Sequence, residues 1–179
     1  MIQLEALTLG YGQQILLDHV SANLDGGGLI ALLGRNGSGK STLLRATAGL
    51  GTIKSGRILL AGKDLAELRP EELARTVSFV TTEKVRIPNL KCRDVVALGR
   101  APYTNWVGRL QPQDREIVAK SLALLDMSAY AERTMDQMSD GECQRIMIAR
   151  ALAQDTPIIL LDEPTSFLDL PNRYELGID

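Results

Sequence analysis

Gly34-Arg35-Asn36-Gly37-Ser38-Gly39-Lys40-Ser41 decides how the rest of this chain is read. The eight residues fit the phosphate-binding loop pattern G-x-x-x-x-G-K-[ST]. An apolar run, Leu29-Ile30-Ala31-Leu32-Leu33, precedes them, and a helix-like stretch from Ser41 to Gly49 follows. That is the strand-loop-helix context the pattern requires. Gly34, Gly37 and Gly39 let a backbone wrap a phosphate without Cβ clashes, with its amides aimed inward at a helix N-terminus. Asn36, Gly37, Ser38, Gly39, Lys40, Ser41 and Thr42 are therefore the candidate nucleotide-binding residues. Lys40 is the candidate for reaching the β- and γ-phosphates, and the Ser41 hydroxyl is a candidate magnesium ligand.

Two further stretches lie downstream. Ile158 to Leu161 reads as an apolar strand ending in Asp162-Glu163, a carboxylate pair of the kind expected beside a magnesium nucleotide. Neighbouring strand residues point to opposite faces, so only one acid continues the inner face and the other depends on a bend at Pro164. Upstream, Met138-Ser139-Asp140-Gly141-Glu142 contains Ser139-x-x-Glu142, a capping box that opens a helix through Ala153.

Around these the chain alternates strand and helix signals, which means an α/β core. Ile2 to Leu9 alternates as a half-buried strand does, and Gly10-Tyr11-Gly12 breaks it before a second strand-like stretch to Leu24. Asp25 to Gly28 reads as a turn into a buried strand over 29–33. Gly56 to Leu60 and Val77 to Val80 read as strands. Pro70-Glu71-Glu72 places proline and acids in the first turn of a short helix. Arg93 to Arg100 and Pro112 to Met127 read as helices.

At 179 residues the chain is a single domain with room for a sizeable core. Its 45% hydrophobic and 23% charged content is that of an ordinary globular protein. A net charge of −2 without basic runs gives no reason to expect nucleic acid. No apolar stretch reaches bilayer length, and the N-terminus is no signal peptide, so membrane contact is expected through a protein partner. Cys92 and Cys143 lack metal-ligand spacing and read as reduced packing residues. His19, the sole histidine, reads as structural.

The three stretches, in this order, resemble the ATP-binding cassette (ABC) ATPases. The resemblance implies a P-loop NTPase fold: a RecA-like core, an N-terminal antiparallel β subdomain and an inserted helical subdomain. Residues 1–80 and 155–179 would form the core with its β subdomain, and 81–154 the helical and signature subdomain. It implies ATP and Mg²⁺ as ligands, with Asp162 and Ser41 on the metal and Glu163 orienting or deprotonating the attacking water. Tyr11 matches the aromatic that stacks on adenine. The stretch 138–142 is similar to the family signature Leu-Ser-Gly-Gly-Gln, with Ser139 and Gly141 matching while Asp140 and Glu142 depart. In the family this helix end meets the γ-phosphate held by a second, head-to-tail subunit. The two acids weaken its positive field, so they are expected to point away from the phosphate. Ser166-Phe167-Leu168-Asp169 resembles the segment that crosses the dimer interface, with Asp169 the residue carried over.

Two departures stand out. Where the family places a glutamine after the Val77–Val80 strand, this chain has Thr82, with Glu83 beside it. The resemblance also implies a histidine on a further strand beyond the carboxylate pair, whereas the chain stops at Asp179. A cassette lacking the C-terminal part of its core is therefore expected, with slow unaided turnover and two apolar strands left unpaired, an edge that invites aggregation. Val95-Val96-Ala97-Leu98-Gly99-Arg100-Ala101-Pro102-Tyr103, followed by Gly108-Arg109-Leu110, is similar to the ATPase subunits of iron-siderophore, haem and cobalamin importers. That similarity implies membrane permease subunits as partners, a substrate-binding protein acting indirectly, and a place on the inner, cytoplasmic face of the cell membrane. The rival readings are an ABC exporter subunit, a fragment that binds nucleotide without hydrolysing it, and a soluble ABC protein of DNA repair or translation. A GTPase is disfavoured because no Asn-Lys-x-Asp segment is present.

Overall fold

The structure, a computed structural model, describes residues 1–81, 83, 88–104 and 108–163. The chain divides into two compact units, Met1–Val77 and Ser78–Asp179.

The first unit is built on an antiparallel sheet of four strands in the order β2-β1-β3-β4: β1 (Ile2–Tyr11), β2 (Gln14–Leu24), β3 (Ile53–Leu60) and β4 (Lys63–Asp64). Leu4, Leu7 and Leu9 of β1 and Ile58 and Leu60 of β3 are buried together with Ala46 and Ala48. The alternation of β1 is broken by a bulge, where Ala6 takes φ 44° between the pairs Leu4↔Ala22 and Leu7↔Val20. Gly56 lies opposite with φ 78°, and a Cβ there would sit 2.3 Å from the Ala6 carbonyl oxygen, so only glycine fits. Helix α1 (Lys40–Thr47) ends at Gly49, which takes a left-handed φ of 73°. The Leu50 N–H donates back to the Arg45 carbonyl at 2.8 Å, as glycine-terminated helices do. A short helix, α2 (Pro70–Ala74), starts on proline, and Glu72 accepts the Arg69 amide at 3.2 Å.

One expectation fails here. Leu29 to Leu33 forms no strand and belongs to no ladder, and Leu29 and Leu33 are 79% and 88% exposed. An all-apolar run suits a strand covered on both faces. Among the described residues none pairs with it, so the phosphate loop does not leave the end of a sheet strand.

The second unit pairs β5 (Val77–Val80) with β6 (Ile158–Leu161), and the Asp162 amide donates to the Val80 carbonyl at 3.0 Å. Helices α3 (Cys92–Ala97), α4 (Pro112–Ala123) and α5 (Asp140–Ala153) pack around Val95, Val96, Leu122, Met135 and Ile146. Both cysteines are reduced thiols buried in this cluster. The stretch read as one helix over 93–100 is instead α3 followed by a 3-10 segment, Leu98–Tyr103, where Gly99 and Pro102 lie. A Cβ on Gly99 would stand 2.3 Å from the Arg150 carbonyl oxygen, so this segment lies directly on the last turn of α5. Arg100 then donates to Asp114 and to the Ala153 carbonyl, each at 2.9 Å, and stacks over the Tyr103 ring at 4.0 Å. The start of α5 is thus held by its own cap and the end by Arg100.

Candidate functional site

Helix α1 begins without a side-chain cap and without an acid in its first turn; its N-cap is Gly39 with φ 92°. The positive end of the helix is therefore left for an external anion. Gly37 has φ 79° with open space where a Cβ would project, which fits backbone that must approach a ligand closely. Lys40 folds back over the loop and donates to the carbonyls of Gly34 and Arg35, both at 2.9 Å. The Ser38 amide donates to the Arg35 carbonyl at 3.2 Å and closes the turn. Asn36, Gly37 and Ser38 are exposed, while Lys40, Ser41 and Thr42 are half-buried along the helix start.

Tyr11, at the end of β1, is 64% exposed, and its hydroxyl lies 3.3 Å from the Thr42 hydroxyl. The structure thus brings the candidate base platform to the first turn of the phosphate-loop helix. Lys54 of β3 donates to the Gly12 carbonyl in the turn after Tyr11. Reading the sequence missed Lys54. Its signal lies in sheet register, since Leu9 of β1 pairs with Ile53, and register is not legible in local pattern.

In the second unit Asp162 is buried at the end of β6, and Glu163 is exposed. The chain turns between them at Glu163 itself, whose φ is 47°, a conformation costing a non-glycine residue about 1 kcal/mol. The bend expected at Pro164 lies outside the described residues, as do Thr82 and Asp169. The Glu83 amide donates to the Thr81 hydroxyl at 3.1 Å.

The capping box at Ser139 is closed. The Ser139 amide and hydroxyl both donate to Glu142 Oε2 at 2.7 Å, and the Glu142 amide donates to Ser139 Oγ at 3.3 Å. Hydrogen bonds from Ser139 hold the Glu142 carboxyl below its ordinary range, with the Tyr130 hydroxyl and the Arg133 charge adding to the effect. The Glu142 carboxylate thus occupies the helix-start donors, as the capping box read at Ser139-x-x-Glu142 expects. Capping requires that geometry, because an N3 acid reaches back to the N-cap amide. Gly141 lies in the first turn of the same helix, half-buried.

These donors suit a magnesium nucleotide. The loop offers amides, hydroxyls and one ammonium to phosphate, and Asp162 offers the hard carboxylate oxygen magnesium prefers. Among the described residues no three His, Cys, Asp or Glu side chains cluster as a metal cage. Ser41 in the first unit and Asp162 in the second are each hard oxygen donors of the kind magnesium accepts alongside phosphate and water.

Comparison with known proteins bears on all these elements at once. An uncharacterized ABC transporter ATP-binding protein of Methanocaldococcus jannaschii is 42% identical over 178 residues, 99% of this chain and 61% of the relative. A petrobactin import ATP-binding protein of Bacillus anthracis is 37% identical, covering 98% of this chain and 64% of the relative. The chain thus spans somewhat over three fifths of the length of these relatives. The solved dimeric structure of a bacterial ABC transporter cassette superposes with a TM-score of 0.85 at 29% identity, over 98% of this chain and 79% of that one. The P-loop NTPase fold follows from that likeness. The family model described as ABC transporter matches residues 17–166, a span holding the phosphate loop, the Ser139 cap and the Asp162–Glu163 pair, and the chain belongs to the ABC transporter family.

Proposed function

We propose that the chain is the ATP-binding and ATP-hydrolysing part of an ABC importer subunit for a metal chelate of the siderophore, haem or cobalamin kind. The observation that carries the reading is the uncapped start of α1, with Lys40 turned into the loop and the Tyr11 ring at its rim. The relatives' names support the solute class: one is a petrobactin import protein. In this reading residues 1–80 and 155–179 form the nucleotide-binding core, and 81–154 the helical and signature subdomain.

Lys40 exchanges its two carbonyl partners for phosphate oxygens, and the loop amides with the Ser41 and Thr42 hydroxyls hold the remaining ones. Tyr11 stacks on the base. Ser41 and Asp162 would help to hold Mg²⁺, which would supply charge neutralisation. Glu163 takes the proton of the attacking water; it is exposed, and its strained backbone is of the kind that clusters at active sites. Ser139, Gly141 and Asp169 meet the nucleotide of a second, head-to-tail copy. Thr82 and Glu83 stand where permease coupling is sensed. Among the described residues no helix is long and apolar enough to cross a membrane, which fits attachment to the inner face through permease subunits.

The test is titration calorimetry with Mg-ATP combined with phosphate-release kinetics. Lys40→Ala is expected to abolish binding, and Glu163→Gln to keep binding while reducing turnover at least a hundredfold. Undiminished binding by Lys40→Ala would overturn the reading. Binding by the parent chain with no release of phosphate would reduce it to a nucleotide-binding module.

A further inference from the structure

We propose that Lys54 is a positioning residue for the nucleotide base, holding the β1–β2 turn so that Tyr11 is presented beside the phosphate loop. The inference rests on the nucleotide reading above and adds a residue to that site.

The turn carrying Tyr11 needs holding. It joins β1 to β2 through Gly12 and Gln13, with Tyr11 paired to Gln14. Gly12 takes φ 54° with nothing within 4 Å of a Cβ position, so the tip projects from the sheet. Gly10 lies so close to the opposite strand that a Cβ would sit 2.0 Å from the Gln14 carbonyl oxygen, which leaves no side chain there to brace it. A flexible tip would present its aromatic ring in many orientations, and a nucleotide would have to fix one of them on binding.

Two bonds from different elements fix the tip. The Tyr11 hydroxyl meets the Thr42 hydroxyl on α1 at 3.3 Å, and the Lys54 ammonium reaches the Gly12 carbonyl from β3. Sheet register makes the second bond possible: the antiparallel pairs Thr8↔Ser55 and Leu9↔Ile53 set residue 54 opposite the Thr8–Leu9 step, and its long side chain reaches from there to the turn. The bond is charge-assisted, so it is stronger than a neutral one. When the Thr42 hydroxyl turns to a phosphate, the Lys54 bond is the one that still anchors the turn. Lys54 therefore acts through Tyr11 and not on the phosphates.

The test compares two ligands, Mg-ATP and inorganic magnesium tripolyphosphate, which lacks the base, by titration calorimetry. Lys54→Met keeps the apolar stem and removes the charge. It is expected to weaken Mg-ATP binding three- to tenfold while changing tripolyphosphate binding less than twofold. Lys54→Arg, which can donate to the same carbonyl, should restore ATP affinity. Lys54→Met should add nothing in a Tyr11→Ala background, because both changes remove one base platform. Equal loss for both ligands would mean that Lys54 binds phosphate directly and would overturn the proposal. Unchanged ATP affinity, or full additivity with Tyr11→Ala, would overturn it as well. Failure of the underlying nucleotide reading is distinguishable: Lys40→Ala would then leave both ligands bound as before.

Discussion

Replacing Asp114 by alanine strands a guanidinium inside the second unit. The Arg100 and Asp114 side chains are 6% and 7% exposed, so water cannot take over the lost partner. Breaking a buried pair from one side costs about 3–5 kcal/mol, mostly from the charge left behind. Asp114 also accepts the Gln111 amide at 2.8 Å at the start of α4, and losing such a cap costs about 1 kcal/mol. Against this, Arg100 keeps the Ala153 carbonyl and the Tyr103 ring, which places the total near 4 kcal/mol on the same scale. With a urea m-value of about 2 kcal/mol/M, the unfolding midpoint should fall by about 2 M. Asp114→Asn, which retains an acceptor, should lose only about 1–2 kcal/mol. The double variant Arg100→Met/Asp114→Leu removes both charges and should be more stable than Asp114→Ala. Urea titrations followed by far-ultraviolet circular dichroism read all three. A cost below about 1 kcal/mol for Asp114→Ala, or a double variant less stable than the single, would refute the reasoning.

The same pair sets an acid limit. The Gln111 amide and then the Arg100 guanidinium hold the Asp114 carboxyl below its ordinary value. Its stabilisation is therefore complete above about pH 4 and is lost as pH falls through the lowered folded value. Asp114→Asn should flatten that part of the stability–pH curve; an unchanged acid slope would count against the assignment. At the signature helix, Glu142→Gln removes a negative charge beside the Ser139 donors. It should cost α5 about 0.3–1 kcal/mol while tightening ATP-driven dimerisation about two- to fivefold. Sedimentation with ATP in a Glu163→Gln background measures the dimer, and unchanged association would show that the carboxylate does not oppose it.

What the sequence made legible is what depends on near neighbours. Proline and two acids at residues 70–72 predicted α2, and Ser139-x-x-Glu142 predicted where α5 begins, because capping involves residues three apart. Long-range placement was not legible. Gly12 and Lys54 are 42 residues apart and meet through strand register, while Arg100 reaches Ala153 across 53 residues. The helix read over 112–127 stops at Ala123 because Asp126 turns left-handed and the Met127 amide caps back to Leu122. The run at 29–33 announced a wish for burial, but periodicity does not name the neighbours that supply it.

Lys40 has a further consequence. Because its ammonium already holds two oxygens of its own loop, nucleotide arrival in the proposed function is a swap of partners and not the filling of a vacancy. What such a swap gains is the difference between a neutral carbonyl and an anionic oxygen at the same ammonium. Anionic character, more than the number of contacts, then sets the affinity, and raising the ionic strength should erode it. Uncharged triphosphate mimics of matching shape should gain little from this lysine, while small polyanions without a base should compete for it.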